Sequence, residues 1–408
     1  VWDDNIVAVT AAPPTGVTVL DTQGIIFPGL IDAHNHPTYN SFPTLQFNNA
    51  PFRHRDAWAA DPEYADWKTK RSVVNGHANV RESQKGTVSK WAEVLQVMAG
   101  CIAIQGNYSD KSYAHPDMLL YNVERFPSRV YAEIFPWTMS AAARANLKSY
   151  ISNGLVNAAV IHLSEGPDAT SLAQFTDWVN KGMLDEAITI IHGTALGSNE
   201  FAQMAAAKAK LLWSPMSNMK LFEATADAML AHQLGVLVGI SPDWTPSGGY
   251  NMLEELGYAW HHNQTVFNNY FTPRQMCDMV SSNTAAACGL ADRYGCIRPG
   301  YNAGLMVIDG DWSDPYMALI HARPRTVKLT IVDGMPRYGD PALLQALGVT
   351  GETFNAWGVN KMLNMAIDHP FVPYGEESLA TLRANLRTAH ATLWPTGELE
   401  PDELQFLD

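Results

Sequence analysis

The chain has 408 residues, enough for one large core or two, with 27 Lys plus Arg against 41 Asp plus Glu and a formal net charge of −14. Without a basic stripe to neutralise phosphates, nucleic acid and anionic membrane are excluded as expected partners. No apolar run reaches the length of a bilayer span, and the four cysteines (Cys101, Cys277, Cys288, Cys296) show no Cys-x-x-Cys spacing, so they read as ordinary buried thiols or at most one disulfide.

In chain order, residues 5–27 carry short β-rich runs, Ile6–Val9 and Val17–Leu20, broken by Pro13-Pro14-Thr15-Gly16. They predict a small sheet ahead of a strand over 26–33. The segment 37–89 is polar and aromatic (Tyr39, Phe42, Phe52, Trp58, Tyr64, Trp67) and reads as a long loop. Further strands are expected at 101–105, 129–135, 157–162, 187–192, 210–214 and 235–241, with an indistinct eighth near 118–123. Helical stretches alternate with them at 90–98, 140–152, 171–181, 200–208 and 224–233. This alternation is the pattern of a parallel α/β architecture. Residues 304–336 return to β-rich runs ending in Asp309-Gly310 and Asp333-Gly334, which suggests that the two ends of the chain pair into one small β-domain. Beyond 341 the sequence reads as helices and an acidic tail.

Polar residues recur where the predicted strands end. His34 and His36 follow the apolar run Leu30-Ile31, and a spacing of two on a strand sends both imidazoles to one face. His162 ends Ala158–Ile161, His192 ends Ile188–Ile191, and Asp243 follows Val236–Pro242. In a parallel barrel such positions surround one site. Three histidines and one aspartate suit a single divalent ion with an open position for water, whose pKa the ion lowers toward neutrality. Glu165, three residues beyond His162, is placed to move a proton. His192 is either a further ligand or a hydrogen-bonding group for the nucleophile or a developing oxyanion. Asp243 has a rival reading as the cap of a turn before Pro246-Ser247-Gly248-Gly249.

These motifs, Phe27-Pro28-Gly29-Leu30-Ile31-Asp32-Ala33-His34-Asn35-His36, His162-Leu163-Ser164-Glu165-Gly166, Ile191-His192-Gly193, Ser214-Pro215-Met216-Ser217-Asn218 and Gly239-Ile240-Ser241-Pro242-Asp243-Trp244, together resemble the amidohydrolase superfamily, most of all its cytosine-deaminase and chlorohydrolase-like branch. The resemblance spans roughly residues 5–340 and keeps the motif order. It implies a (β/α)8 TIM barrel with a β-sandwich built from both termini: 1–27 with 300–340 as the composite domain, 28–299 as the barrel, and 341–408 as a helical extension. It also implies one metal on His34, His36, His162 and Asp243, with Glu165 and His192 as catalytic partners. Zinc is the first expectation for that metal, and iron, nickel or manganese are alternatives. Two departures stand out: Ala303-Gly304 replaces the usual Ala-Asp, and Ser241-Pro242 precedes Asp243 where Gly-Thr is common.

The activity so implied is hydrolysis of a C–N bond by metal-activated water, foremost deamination of a nitrogen heterocycle. The alternatives are amide, urea or cyclic-amide cleavage on the same scaffold and, further off, a non-catalytic scaffold. The strand at 129–135 has no lysine to bridge two metals, which favours one, with Glu133 as the remaining candidate bridge. Ser217, Asn218, Trp58 and Trp67 are candidate substrate contacts. His54, His77 and His115 read as loop histidines, and the helical pair His261-His262 does not read as a metal site. The expected partner is a small molecule, homo-oligomers are compatible, and the protein reads as soluble, cytoplasmic or exported after loss of an N-terminal segment.

Overall fold

The computed structural model describes residues 1, 3–82, 86–106, 119–124, 130–367 and 377–393. Among the described residues, eight short parallel strands lie in two sheets. The first sheet is β2 (Leu30–Asp32), β3 (Cys101–Ile104) and β4 (Tyr121–Asn122) in that order. The second is β5 (Val130–Glu133), β6 (Ala158–Leu163), β7 (Ile188–His192), β8 (Lys210–Trp213) and β9 (Val238–Ile240), again in chain order. A parallel bridge between Asn35 and Asp243 joins the ends of β2 and β9, with Asp243 N donating to His34 O and His36 N donating to Asp243 O, both at 3.1 Å. Strands such as Ala158-Ala159-Val160-Ile161-His162-Leu163 are buried at every position. Near-continuous apolar runs are what parallel strands need when both faces are covered.

Helices separate the strands, and their starts are legible in the sequence. Ser140 caps Ala141–Ser152 and Asp168 caps Ala169–Asn180 through backbone N–H groups of their first turns. Pro215 opens Pro215–Phe222 at a position where a missing N–H costs nothing. Three more helices, Met252–Thr265, Pro273–Asp278 and Ser282–Ala287, fill the stretch after β9.

A six-stranded antiparallel sheet has the order β1-β10-β11-β12-β14-β13, with β1 (Ile25–Pro28), β10 (Leu305–Ile308), β11 (Val327–Val332), β12 (Met335–Gly339), β13 (Glu352–Ala356) and β14 (Val359–Leu363). Both ends of the chain contribute to it, but three expectations change. Upstream of β1, residues 6–9 and 17–20 are not strands: Val7, Val9, Val17 and Val19 are exposed, and the segment is tied down at its start by a bridge from Asn5 to Asn302 and by backbone bonds between Ile6 and both Gly300 and Tyr301. Alternating valines make a strand only where a neighbour accepts their backbone, and the Pro13-Pro14 break separates the two runs. Beyond 341 the chain is not all helix. Pro341–Ala346 and Leu379–Ala391 are helical, but β13 and β14 form a hairpin between them. Its turn, Trp357-Gly358, has positive φ at both positions (51° and 86°), the geometry that matches strand twist. The segment 37–89 is not one loop either: it contains helices Arg55–Ala59 and Pro62–Gly76. The acidic tail, His115 and Met118 lie outside the described residues. All four cysteines are free; three are buried, but Cys296 is exposed.

One apolar core runs through the parallel strands and their helices. A smaller aromatic cluster of Phe52, Trp58, Tyr64, Phe222 and Trp244 fastens the 37–89 segment over the strand ends.

Candidate metal and catalytic centre

The five expected strand-end residues converge. His34 Nε2 lies 3.1 Å from His162 Nε2, and His162 Nε2 lies 3.3 Å from His36 Nε2. Asp243 Oδ1 is 3.3 Å from both His34 Nε2 and His36 Nε2. His192 completes a second, overlapping triad with His34 and His162, its ligand atoms within 4.8 Å of one another. Burial, reinforced by the neighbouring imidazoles, holds His34 and His162 well below the ordinary histidine pKa, so both rings are neutral. Neutral nitrogens facing each other without enough protons to share are acceptors awaiting a cation. Nitrogens bound at about 2.0–2.1 Å around a tetrahedral ion stand about 3.3 Å apart, so the spacing found here fits one divalent metal on His34, His36, His162 and Asp243.

The backbone is unusual at the same places. Ser164, His192 and Asp243 adopt positive φ (58°, 68° and 73°), a region that side-chain-bearing residues rarely occupy. Such conformations persist where surrounding structure over-determines them, and they collect at functional sites. Here each turns the chain sharply as it leaves a strand or begins a loop.

A short turn at the start of Pro215–Phe222 holds three of the converging groups. Ser214 Oγ is 3.2 Å from His34 Nδ1, and Ser217 Oγ donates to Asp243 Oδ2 at 2.6 Å. Asn218 Oδ1 lies 2.8 Å from His192 Nδ1, while Asn218 Nδ2 donates to Thr225 Oγ1, which also accepts from Trp213 Nε1. With its amide oriented that way, Asn218 accepts from His192 Nδ1–H and leaves the His192 Nε2 lone pair facing the centre. Glu255, fully buried and with its carboxyl pushed well up by burial, accepts from Met216 N and Gly249 N, both at 3.0 Å, and so ties this turn to the loop after Asp243. Under the histidines, buried Asp32 accepts from His34 N and Asn35 Nδ2, and its carboxyl is likewise pushed up by burial.

Glu165 is gripped from the 37–89 segment. Trp58 Nε1 donates to Glu165 Oε1 at 2.8 Å, Arg55 Nε lies 3.2 Å from Oε2, and Arg55 N donates to the Glu165 carbonyl at 2.9 Å. Glu165 Oε2 also stands 3.7 Å from His192 Nε2. The Arg55 guanidinium is sandwiched by Phe135 (4.3 Å) and Trp58 (5.4 Å), which fixes its plane.

A cavity of about 540 Å³ opens onto the cluster, lined by Tyr39, Trp58, Tyr64 and Trp244 among others. Of the expected substrate contacts, Trp58 lines it. Ser217 and Asn218 do not; they are wholly buried behind Asp243 and His192. Trp67 does not line it either and instead packs edge-on against Phe42 at 5.1 Å. Glu133 reaches the cavity wall but belongs to no metal-capable group among the described residues. His54 supplies backbone against Gly166, His77 accepts from Asn79 N, and His262 packs on Trp213 and Phe267, all apart from the cluster. Sequence reasoning missed Arg55, Thr225 and Glu255, and met Ser214 only as part of the Ser214–Asn218 motif. Arg55 alone left a trace, three residues before Trp58 on what proves to be one helical face.

Similarity to known proteins agrees with this geometry. A profile of the amidohydrolase family matches residues 136–336. The 5-methylthioadenosine/S-adenosylhomocysteine deaminase of Halobacterium salinarum is 23% identical over 366 residues, spanning 79% of this chain and 83% of its own. Among solved structures, an adenosine deaminase from Xanthomonas campestris with bound zinc superposes with a TM-score of 0.65 at 16% identity, covering 91% of this chain and 87% of its own. The zinc-complexed atrazine chlorohydrolase of Arthrobacter aurescens gives 0.67 at 13% identity, covering 95% and 93%. At such identities the structural likeness is one of fold. With the motifs and the family profile taken together, residues 136–336 carry the amidohydrolase family match, and the chain is a hydrolase acting on carbon–nitrogen bonds.

Proposed function

We propose that the protein is a mononuclear metal-dependent hydrolase that deaminates an aminated nitrogen heterocycle, with zinc held by His34, His36, His162 and Asp243. The observation that carries this reading is the approach of three Nε2 atoms and one carboxylate oxygen to within 3.1–3.3 Å of a neighbour. A divalent ion bound there supplies Lewis acidity that makes water nucleophilic near neutral pH. The chain's own groups do the rest. Glu165, steadied by Trp58 and Arg55, takes a proton from the attacking water and delivers it to the departing amine. His192, held through Nδ1 by Asn218, presents Nε2 beside Glu165 and steers the reacting oxygen. Asp243, hydrogen-bonded by Ser217, orients the water. The aromatic walls at Trp58, Tyr64 and Trp244 suit a flat ring. Relatives named as deaminases of adenosine-type compounds support a purine-like heterocycle as the first substrate class to try.

The same reading treats the eight parallel strands as a closed (β/α)8 barrel over 28–299. Residues 1–27 and 300–340 form the composite β-domain, and 341–408 is an extension that adds β13 and β14 to its sheet. Metal analysis of the purified chain, followed by an ammonia-release screen over aminated heterocycles and amides, tests the proposal. One equivalent of metal and ammonia from a heterocycle is expected. Two metals per chain, or turnover of amides alone, would overturn it. Glu165→Gln should abolish turnover with metal content unchanged; full activity in that variant would remove Glu165 from its role.

A further inference from the structure

The charged groups that line the cavity are partnered, with one exception. Arg55 pairs with Glu165, and Asp243 is engaged by His34, His36 and Ser217. Glu133 accepts from Phe135 N and Tyr131 Oη, and Glu124 accepts from Gly106 N and Gln105 Nε2. Arg71, on the helix Pro62–Gly76, lines the same cavity, yet it meets no carboxylate among the described residues. Its Nε is buried and has no hydrogen-bond partner. Its guanidinium lies over the Tyr39 ring at 4.4 Å. Stacking occupies the face of a guanidinium, whereas its N–H donors project in the plane, so the stack leaves the donating edge unused. Tyr39 in turn contacts Trp244 edge-on at 4.8 Å, and Trp244 contacts His36 at 5.8 Å. An aromatic wall therefore leads from the metal-ligating cluster to an unsatisfied cation.

We propose that Arg71 anchors a carboxylate carried by the substrate, whose ring lies along Tyr39 and Trp244 with its reacting carbon at the histidine cluster. The placement of the reacting end rests on the deaminase reading above; the anchor does not. A guanidinium edge takes carboxylate or phosphate in paired hydrogen bonds. The carboxylate is the better match here, because Glu124 and Glu133 line the same cavity and oppose a dianion.

Binding to the zinc-loaded full chain tests this with two matched pairs, benzoate against benzamide and adenosine 5′-carboxylic acid against adenosine, and with adenosine 5′-monophosphate as the phosphate arm. Titration calorimetry should show the carboxylate of at least one pair binding tenfold or more tighter than its neutral counterpart. Arg71→Met should reduce that preference below twofold, and Arg71→Lys should keep part of it, both with unchanged metal content. Equal affinities within both pairs in the wild type overturn the proposal. So does a preference that survives Arg71→Met, which would place the carboxylate on the metal. Tighter binding of the phosphate than of the 5′-carboxylate overturns the choice of anion. Benzoate has no amine to lose, so the benzoate–benzamide pair reads the anchor alone; failure of the ammonia-release screen over aminated heterocycles would sink the deaminase reading and leave that comparison standing.

Discussion

Replacing Asn218 by leucine isolates what a hydrogen bond behind the site does for catalysis. The side chain is fully buried, so leucine fits in size but can neither accept from His192 Nδ1–H nor donate to Thr225. Leaving a buried donor unsatisfied costs about 1–3 kcal/mol, and Thr225 keeps its bond from Trp213, so the His192 term dominates the loss of stability. The ring would also be free to move its proton to Nε2, turning the face it presents to the cavity from acceptor to donor. Partners that fix the tautomer of a site histidine are worth about 10–100-fold in affinity or activity. Asn218→Leu should therefore lower kcat by about that factor, with zinc content near wild type and a modest fall in Tm. Asn218→Asp keeps an acceptor at the same atom and should stay within about tenfold of wild type. The assay is ammonia release with metal content and melting temperature measured on the same preparations. A leucine variant with wild-type kcat, or an aspartate variant as inactive as the leucine one at equal metal content, refutes the tautomer argument.

Trp58→Phe retains the ring but deletes the donor to Glu165 Oε1, so kcat should fall about tenfold or more while metal content holds; an unchanged kcat would show that the bond does not position the carboxylate. Stripping metal with a chelator removes a native-state ligand, which at 1,000-fold excess over Kd contributes about 4 kcal/mol; the metal-free chain should melt at a lower temperature and recover on adding zinc, and an unchanged melt would argue against a metal in the cluster. His390, buried against Ser41 and Phe42, has its pKa pushed down to about 4 by burial. The unfolded chain binds a proton there below about pH 6.5 that the folded chain refuses, so His390 draws stability away as pH falls from about 6.5 toward 4, by up to about 3 kcal/mol. Urea melts of His390→Gln and wild type at pH 7, 5.5 and 4.5 should diverge in that direction, with the variant flatter; parallel profiles would rule it out.

The strand-end histidines were legible because a candidate metal site at the mouth of a parallel sheet leaves a local mark. An apolar run must end in an imidazole, and Ala158-Ala159-Val160-Ile161-His162 does so within five residues. Groups that act from behind leave no such mark. Glu255 reaches Met216 across 39 residues of chain and Gly249 across 6, and nothing in its neighbourhood distinguishes it from a solvated helix glutamate. The hairpin at 352–363 was missed for another reason. Its turn is Trp357-Gly358, and tryptophan is not among the residues that announce a positive φ. The valines at 7, 9, 17 and 19 mislead in the opposite sense, since alternation states a willingness to be a strand and the neighbour decides.

The grip of Arg55 and Trp58 on Glu165 has a consequence for how such a protein can change. The carboxylate proposed to handle the proton sits just beyond a strand end, but its orientation is set by the helix Arg55–Ala59, within the same cover segment whose aromatic residues face the cavity. Selectivity and chemistry therefore share a hinge. An insertion or exchange in the 37–89 segment that reshapes the cavity also re-aims the carboxylate. Remodelling this enzyme for a new substrate calls for moving the cover and its Arg-x-x-Trp turn as one cassette, or for leaving that turn in place and varying what surrounds it.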